Sequence, residues 1–253
     1  MAIRTVGIIQ ARMTSNRLPG KVIKPLAGAP LILRMLDRVK RIHGLDDICL
    51  AVPHGSDHES LVRLAPEYVE VFRGDEQNVL KRTHDAARHM KADVIIRITS
   101  DCPLIDPAVS STVLSGFLHS NVSYARTAIN SGYPHGFDTE VFSMAALDSA
   151  NSEARTAYDR EHVTPFIWQR PERFRAVELG YWPDRRFWRL TVDTQEDYDL
   201  VSQVYNRLYP KNPVFGFSDL EELFRTEPNL LQINRKYAQD NTSAYQEYQH
   251  EQR

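Results

Sequence analysis

The stretch Val6-Gly7-Ile8-Ile9-Gln10-Ala11-Arg12-Met13-Thr14-Ser15-Asn16-Arg17-Leu18-Pro19-Gly20-Lys21 decides how the rest of the chain is read. It opens as a short apolar run with Val and Ile, the pattern of a buried strand. It then turns polar and carries Arg12, Arg17 and Lys21 on one short loop. Three cations so close repel one another unless something negative lies among them, and a polyphosphate suits that arrangement. A solvated basic surface loop is the plain alternative. The loop is not a Walker A motif, because Ser15 stands where that motif needs glycine and Val22 where it needs Ser or Thr. No GxGxxG follows the strand either. Side chains would therefore hold most of the phosphate, helped by the small residues Thr14, Ser15 and Gly20.

Working outward, strand and helix patterns alternate. Strands are expected at 6–10, 48–52, 69–73 and 94–99, and helices at 30–42, 57–65, 76–90 and 107–118. In 30–42 the apolar residues Leu31, Ile32, Met35, Leu36, Val39 and Ile42 share one helical face. Such alternation predicts an α/β fold with a mostly parallel sheet and helices on both faces. Beyond 118 the pattern is mixed. Strands are expected at 122–127, 139–142, 174–179 and 188–192. Helices are expected at 158–169, kinked or ended by Pro165, and at 195–208 and 219–225. The turn-rich stretch 130–138 makes the region 122–142 a small insertion, read as a lid or dimer arm. One domain is expected over 1–238, followed by a polar tail at 239–253 that is frayed or a terminal helix.

The chain has 253 residues, 42% hydrophobic and 25% charged, with a formal net charge of -2. That balance argues against a general nucleic-acid-binding surface, and no apolar run approaches a membrane span. Cys49 and Cys102 form neither a disulfide framework nor a zinc pattern, and Cys49 sits in a core-like run. Residues 1–4 run straight into the first strand, so no signal peptide is expected, and the cytoplasm is the expected compartment.

Two further motifs place carboxylates. The apolar run 94–99 is followed by Ser100-Asp101-Cys102-Pro103, and Trp188-Arg189-Leu190-Thr191-Val192 is followed by Asp193-Thr194. If both runs are strands parallel to the first, Asp101 and Asp193 lie at its carboxyl edge, where open α/β sheets bind ligands. Two carboxylates facing three cations suit a magnesium–polyphosphate complex. Taken singly, Asp101 is a turn or cap residue before Pro103, and Asp193 caps the 195–208 helix. In Arg73-Gly74-Asp75-Glu76-Gln77-Asn78, continuing to Arg82, helix-start amides with Asn78 and Arg82 can read a base or bind phosphate; ordinary capping by Asp75 is the alternative. The stretch 133–140 and Arg160-Glu161-His162 bring polar groups near aromatics, as an acceptor pocket would, although a lone helical His162 is more often structural.

These residues resemble the cytidylyltransferases that make CMP-activated sugar acids, including CMP-sialate and CMP-Kdo synthetases. They are most similar to the spore coat polysaccharide biosynthesis protein F subgroup, at 8–21, 73–82, 97–107, 136–142, 161–165 and 190–193, with the first loop the most specific part. The resemblance implies a Rossmann-like three-layer nucleotidyltransferase fold, a homodimer, CTP as donor and Mg2+ as cofactor. It implies a triphosphate loop with Ala11, Arg12, Arg17 and Lys21, metal-binding Asp101 and Asp193, and a cytosine region with Arg73, Gly74, Asp75, Asn78 and Arg82. Arg12, Lys21, Asp101 and Asp193 would then be the catalytic set. Arg97, Thr99, Gly136, Asp138, Glu140, His162 and Arg189 would bind the acceptor. Gln10 stands where the sugar-acid synthetases commonly carry Pro, and Cys102-Pro103 replaces their usual residues. Both departures follow the spore coat subgroup and leave the acceptor open.

The implied reaction moves CMP from CTP to an acidic sugar or related metabolite in polysaccharide biosynthesis. A nucleotide-sugar-dependent glycosyltransferase is the neighbouring alternative, but residues 101–103 lack its Asp-x-Asp pair. A degenerate nucleotide-binding subunit is the non-enzymatic one. The intact set of three cations and two aspartates argues against it.

Overall fold

The computed structural model describes residues 3–127 and 132–238. In chain order its elements are β1 (Thr5–Gln10), β2 (Pro25–Leu26), β3 (Ala29–Pro30), α1 (Leu31–Val39), β4 (Asp47–Pro53), α2 (Glu59–Leu64), β5 (Val69–Gly74), α3 (Val79–His89), β6 (Val94–Thr99) and α4 (Pro107–Leu118). There follow β7 (Tyr124–Thr127), β8 (Glu140–Ser143), α5 (Met144–Glu153), α6 (Ala157–His162), α7 (Pro165–Trp168), β9 (Ala176–Leu179), α8 (Gln195–Leu208), α9 (Phe217–Thr226) and α10 (Arg235–Ala238). Short 3-10 turns fall at Lys21–Ile23, Ser56–His58 and Pro228–Gln232.

Seven strands form one sheet in the order β5-β4-β1-β6-β8-β7-β9. β1 pairs in parallel with both β4 and β6, and β4 with β5; β8 runs antiparallel to β6 and β7, while β7 and β9 are parallel. Alternation along β1 divides the core. Ile9 packs with α1, α2 and α4 on one face. Val6 and Ile8 pack with α3, α5 and α7 on the other. The result is the expected Rossmann-like three-layer fold. The face of α1 is buried through Leu31, Ile32, Met35, Leu36 and Val39, each side chain contributing about 1.5–3 kcal/mol by removal from water. Cys49 lies in the core.

This topology sets the site. The chain turns from the β1/β4 side to the β6 side at β1, and the carboxyl ends of β1, β4, β5 and β6 share one edge. The loops that leave them are tied there by Ala11 N–H donating to Ala51 O (3.2 Å), Ser100 N–H to Gln10 O (3.2 Å) and His54 N–H to Gly74 O (2.8 Å).

Several expectations need correction. The stretch 188–192 is not a sheet strand; a single bridge joins Arg189 to His135. Its alternating Trp188, Leu190 and Val192 are apolar because they enter a third cluster with α8 and α9, away from the sheet. The predicted helix 158–169 is two helices, divided at Val163 (φ 74°), with Pro165 starting the second. α5 was not anticipated. The 76–90 helix begins at Val79, because Asp75 and Asn78 hold the preceding turn. Part of the expected arm, 128–131, and the tail 239–253 lie outside the described residues.

Candidate active site

A cleft of about 610 Å³ at the carboxyl edge is lined by the loop after β1 and by residues from β6, α3 and α6. Ala11, Arg12, Arg17 and Lys21 line it from the first loop, Arg82 from α3, Arg97, Thr99 and Asp101 from β6 and its end, His162 from α6, and Asp193 from the segment before α8. Gln10, Ser15, Asn16, Val79, Ser100 and Glu161 complete the wall.

Lys21 joins the two aspartates. Its ammonium donates to Asp193 Oδ1 (2.8 Å) and to Val192 O (2.7 Å), and lies 3.6 Å from Asp101 Oδ2. Arg17 Nη2 reaches Asp193 Oδ2 at 3.0 Å. Burial works against the Lys21 ammonium, but Asp101 and Asp193 outweigh it and hold its pKa above the ordinary value. For Asp101 burial favours the neutral acid, and Lys21, with a hydrogen bond from Thr99, overcomes it and holds the carboxyl down at about 2. Cys102 Sγ lies 3.6 Å from Asp101 Oδ1 as a further donor.

Asp193 reaches the cleft without a strand. Val192 N–H donates to Asp101 O (2.8 Å), laying the segment across the end of β6. Arg189, 5% exposed, then braces it, with Nη2 on Asp193 Oδ2 (2.9 Å) and Nε on Asp197 Oδ1 (3.0 Å). Asp197 also accepts from the backbone N–H groups of Asp193 and Thr194 and from Asn234 Nδ2. Neither aspartate is a helix cap: Thr194 caps α8 and Asp106 caps α4.

Arg82 faces Arg12 across the cleft. Burial, and then the Arg12 charge, push the Arg82 pKa down to about 10. Its Nη1 donates to the carbonyls of Asp75 and Glu76, clasping the 75–78 loop, while its buried Nε has no hydrogen-bond partner among the described residues. The two guanidiniums repel each other, and a polyanion between them would relieve that repulsion. The Asp101 and Asp193 carboxylates supply the hard oxygen ligands a divalent cation needs, with phosphate or water filling its remaining positions. No group of three or more His, Cys, Asp or Glu among the described residues is arranged to hold a metal ion by itself.

Other expected site residues lie elsewhere. Arg73 points back to Glu59 (2.5 Å). Asp75 accepts from the N–H groups of Gln77 and Asn78, and Asn78 caps α3. Gly74 lets Arg82 pack closely: a Cβ there would stand 2.8 Å from Arg82 Cγ. Gly136 (φ +111°) lies against the 188–191 backbone, where a Cβ would meet Leu190 C at 2.7 Å. Asp138 and Glu140 line a second cavity of about 260 Å³, which shares Arg97 and His162 with the first. Glu140 is occupied there, accepting from Arg97, Tyr124 and Thr164. Arg126 lines the same cavity, its guanidinium over Trp168 and paired with Glu178. Nothing in the local sequence pattern of Arg126 separates it from a solvated strand residue.

The family model for cytidylyltransferases matches residues 6–248. The spore coat polysaccharide biosynthesis protein SpsF of Bacillus subtilis is 30% identical over 239 residues, 88% of this chain and 94% of that one. A solved cytidylyltransferase from Leptospira borgpetersenii superposes with a TM-score of 0.86 at 29% identity, covering 91% of this chain and 98% of that one. A CMP-2-keto-3-deoxy-manno-octonic acid synthetase solved with CTP shares the fold, with a TM-score of 0.61 at 16% identity, 81% of this chain and 99% of that one.

Proposed function

This chain belongs to the cytidylyltransferase family, and from that membership we propose that it transfers CMP from CTP to an acidic sugar or a related metabolite and releases pyrophosphate. The observation that carries the reading is the Arg12–Arg82 cradle facing the Lys21–Asp101–Asp193 cluster across one cleft. An acceptor oxygen attacks the α-phosphorus, the bond from that phosphorus to the β-phosphate oxygen breaks, and pyrophosphate departs. Arg12, Arg17 and Lys21 neutralise the triphosphate and the charge that grows on the leaving group. Asp101 and Asp193 would hold Mg2+, which supplies Lewis-acid polarisation of the phosphate when bound. Catalysis then rests on positioning and charge, as is general for phosphoryl chemistry.

The second cavity is where the acceptor would sit. It adjoins the nucleotide cleft at Arg97 and His162 and carries Arg126. A single domain over 1–238, a homodimer, a cytoplasmic setting and a role in cell-surface or spore polysaccharide synthesis fit this activity. No helix among the described residues is long and apolar enough to cross a membrane.

The reading is tested by incubating the protein with CTP, Mg2+ and a panel of sugar acids, following pyrophosphate and the cytidylated product by mass spectrometry. A product with at least one acidic acceptor is expected. Absence of both turnover and CTP binding would overturn the reading.

A further inference from the structure

His58 is buried (1% exposed) at the end of the short turn that follows β4, a position no part of the chemistry above uses. Its Nδ1 accepts a hydrogen bond from the backbone N–H of Met13 at 3.1 Å. Met13 lies between Arg12 and Thr14, and its own carbonyl accepts from Gly20 N–H at 3.0 Å. The imidazole therefore grips the residue that closes the first loop on itself, with Arg12 before one side of the closure and Lys21 just after the other. Accepting at Nδ1 places the ring proton on Nε2, and Nε2 faces Glu76 Oε1 at 3.9 Å. Glu76 Oε1 in turn accepts from Thr14 Oγ1 at 2.6 Å. Glu76 belongs to the loop that Arg82 clasps. One buried ring thus ties the loop after β1 to the loops after β4 and β5.

We propose that His58 is a positioning residue that holds the cationic loop, through the Met13 amide, in register with the Arg82-clasped loop, so that Arg12, Lys21 and Arg82 face one polyphosphate. The proposal rests on the nucleotide reading for its effect on binding, but not for its effect on the loop. The reason for a histidine is geometric: it presents an unprotonated acceptor to a backbone N–H from a fully packed site. An amide left without an acceptor in a half-buried site is costly, so a loop that loses this partner moves toward water instead.

The test compares wild type with His58→Leu, which keeps the volume and removes the acceptor, and His58→Asn, whose Oδ1 can take the place of Nδ1. Hydrogen exchange of the peptide spanning 11–21 is measured first, without nucleotide. Exchange should quicken roughly tenfold or more in His58→Leu and return toward wild type in His58→Asn, with the core strands unchanged in both. CTP titration should then show a dissociation constant weakened about tenfold in His58→Leu and rescued in His58→Asn. Equal exchange at 11–21 in wild type and His58→Leu would overturn the proposal, as would His58→Asn behaving like His58→Leu. If wild type binds no CTP while the exchange pattern appears as stated, the nucleotide reading fails and the positioning role stands. A cooperative loss of protection everywhere in His58→Leu, repeated in His58→Asn, would assign His58 to general packing and overturn the proposal.

Discussion

Lys21 Nζ donates to Asp193 Oδ1 at 2.8 Å, joining the loop that leaves β1 to a carboxylate 172 positions later. With Asp101 Oδ2 at 3.6 Å, the same ammonium bridges both carboxylates of the cleft, sharing Asp193 with Arg17 and Arg189. The cation whose expected role is to meet the triphosphate is therefore also the group that lets two aspartates face one another.

Lys21→Met should lose this compensation. Removing one partner of a buried ion pair costs about 3–5 kcal/mol, and losing a preorganised charge at the reacting phosphates should cut turnover about 10²–10³-fold. Thermal melts with and without Mg2+ check the account. The cation should raise the melting temperature of Lys21→Met by more than that of wild type, because it can take over the neutralisation. An equal response would argue against shared neutralisation.

The pair should be insensitive to pH over the working range. Asp101 is depressed to about 2, so its stabilisation is complete above the ordinary carboxylate value and is lost only as pH falls toward 2. Lys21 is raised, so its contribution is complete below 10.5 and is lost as pH climbs through the raised value. The stability difference between wild type and Lys21→Met, from denaturant curves, should stay constant from about pH 5 to about pH 9. A steep change near neutrality would contradict the assignment.

Gly74→Ala should act on nucleotide binding although Gly74 does not line the cleft. Its Cβ would stand 2.8 Å from Arg82 Cγ and 3.3 Å from Arg82 Cα, forcing the start of α3 outward. Overpacking of this kind costs about 1–3 kcal/mol. Steady-state kinetics should show KM for CTP raised about tenfold, with kcat changed less. Unchanged KM with a lowered melting temperature would confine the glycine to packing.

The strands β1, β4 and β6 are legible as apolar runs because they are buried on both faces, and Arg12, Lys21 and Asp101 follow directly from where β1 and β6 end. Asp193 is the instructive exception. It arrives at the expected place, but by a backbone hydrogen bond to Asp101 and the Arg189–Asp197 brace rather than by a strand. A short alternating run cannot distinguish pairing in a sheet from packing on α8 and α9. Gly136, Asp75 and Asn78 read as ligand-binding positions; their visible role is to shape turns, which local sequence does not reveal because it does not say which way a turn faces. His58 and Arg126 act through partners distant in sequence, so periodicity and spacing carry no trace of them.

A structure of the chain with CTP and a divalent cation measures the central claim most directly. The account predicts the triphosphate against Arg12, Arg17 and Lys21, with the cation between Asp101 and Asp193. A triphosphate bound away from this cleft, or a cation held by other residues, would contradict it.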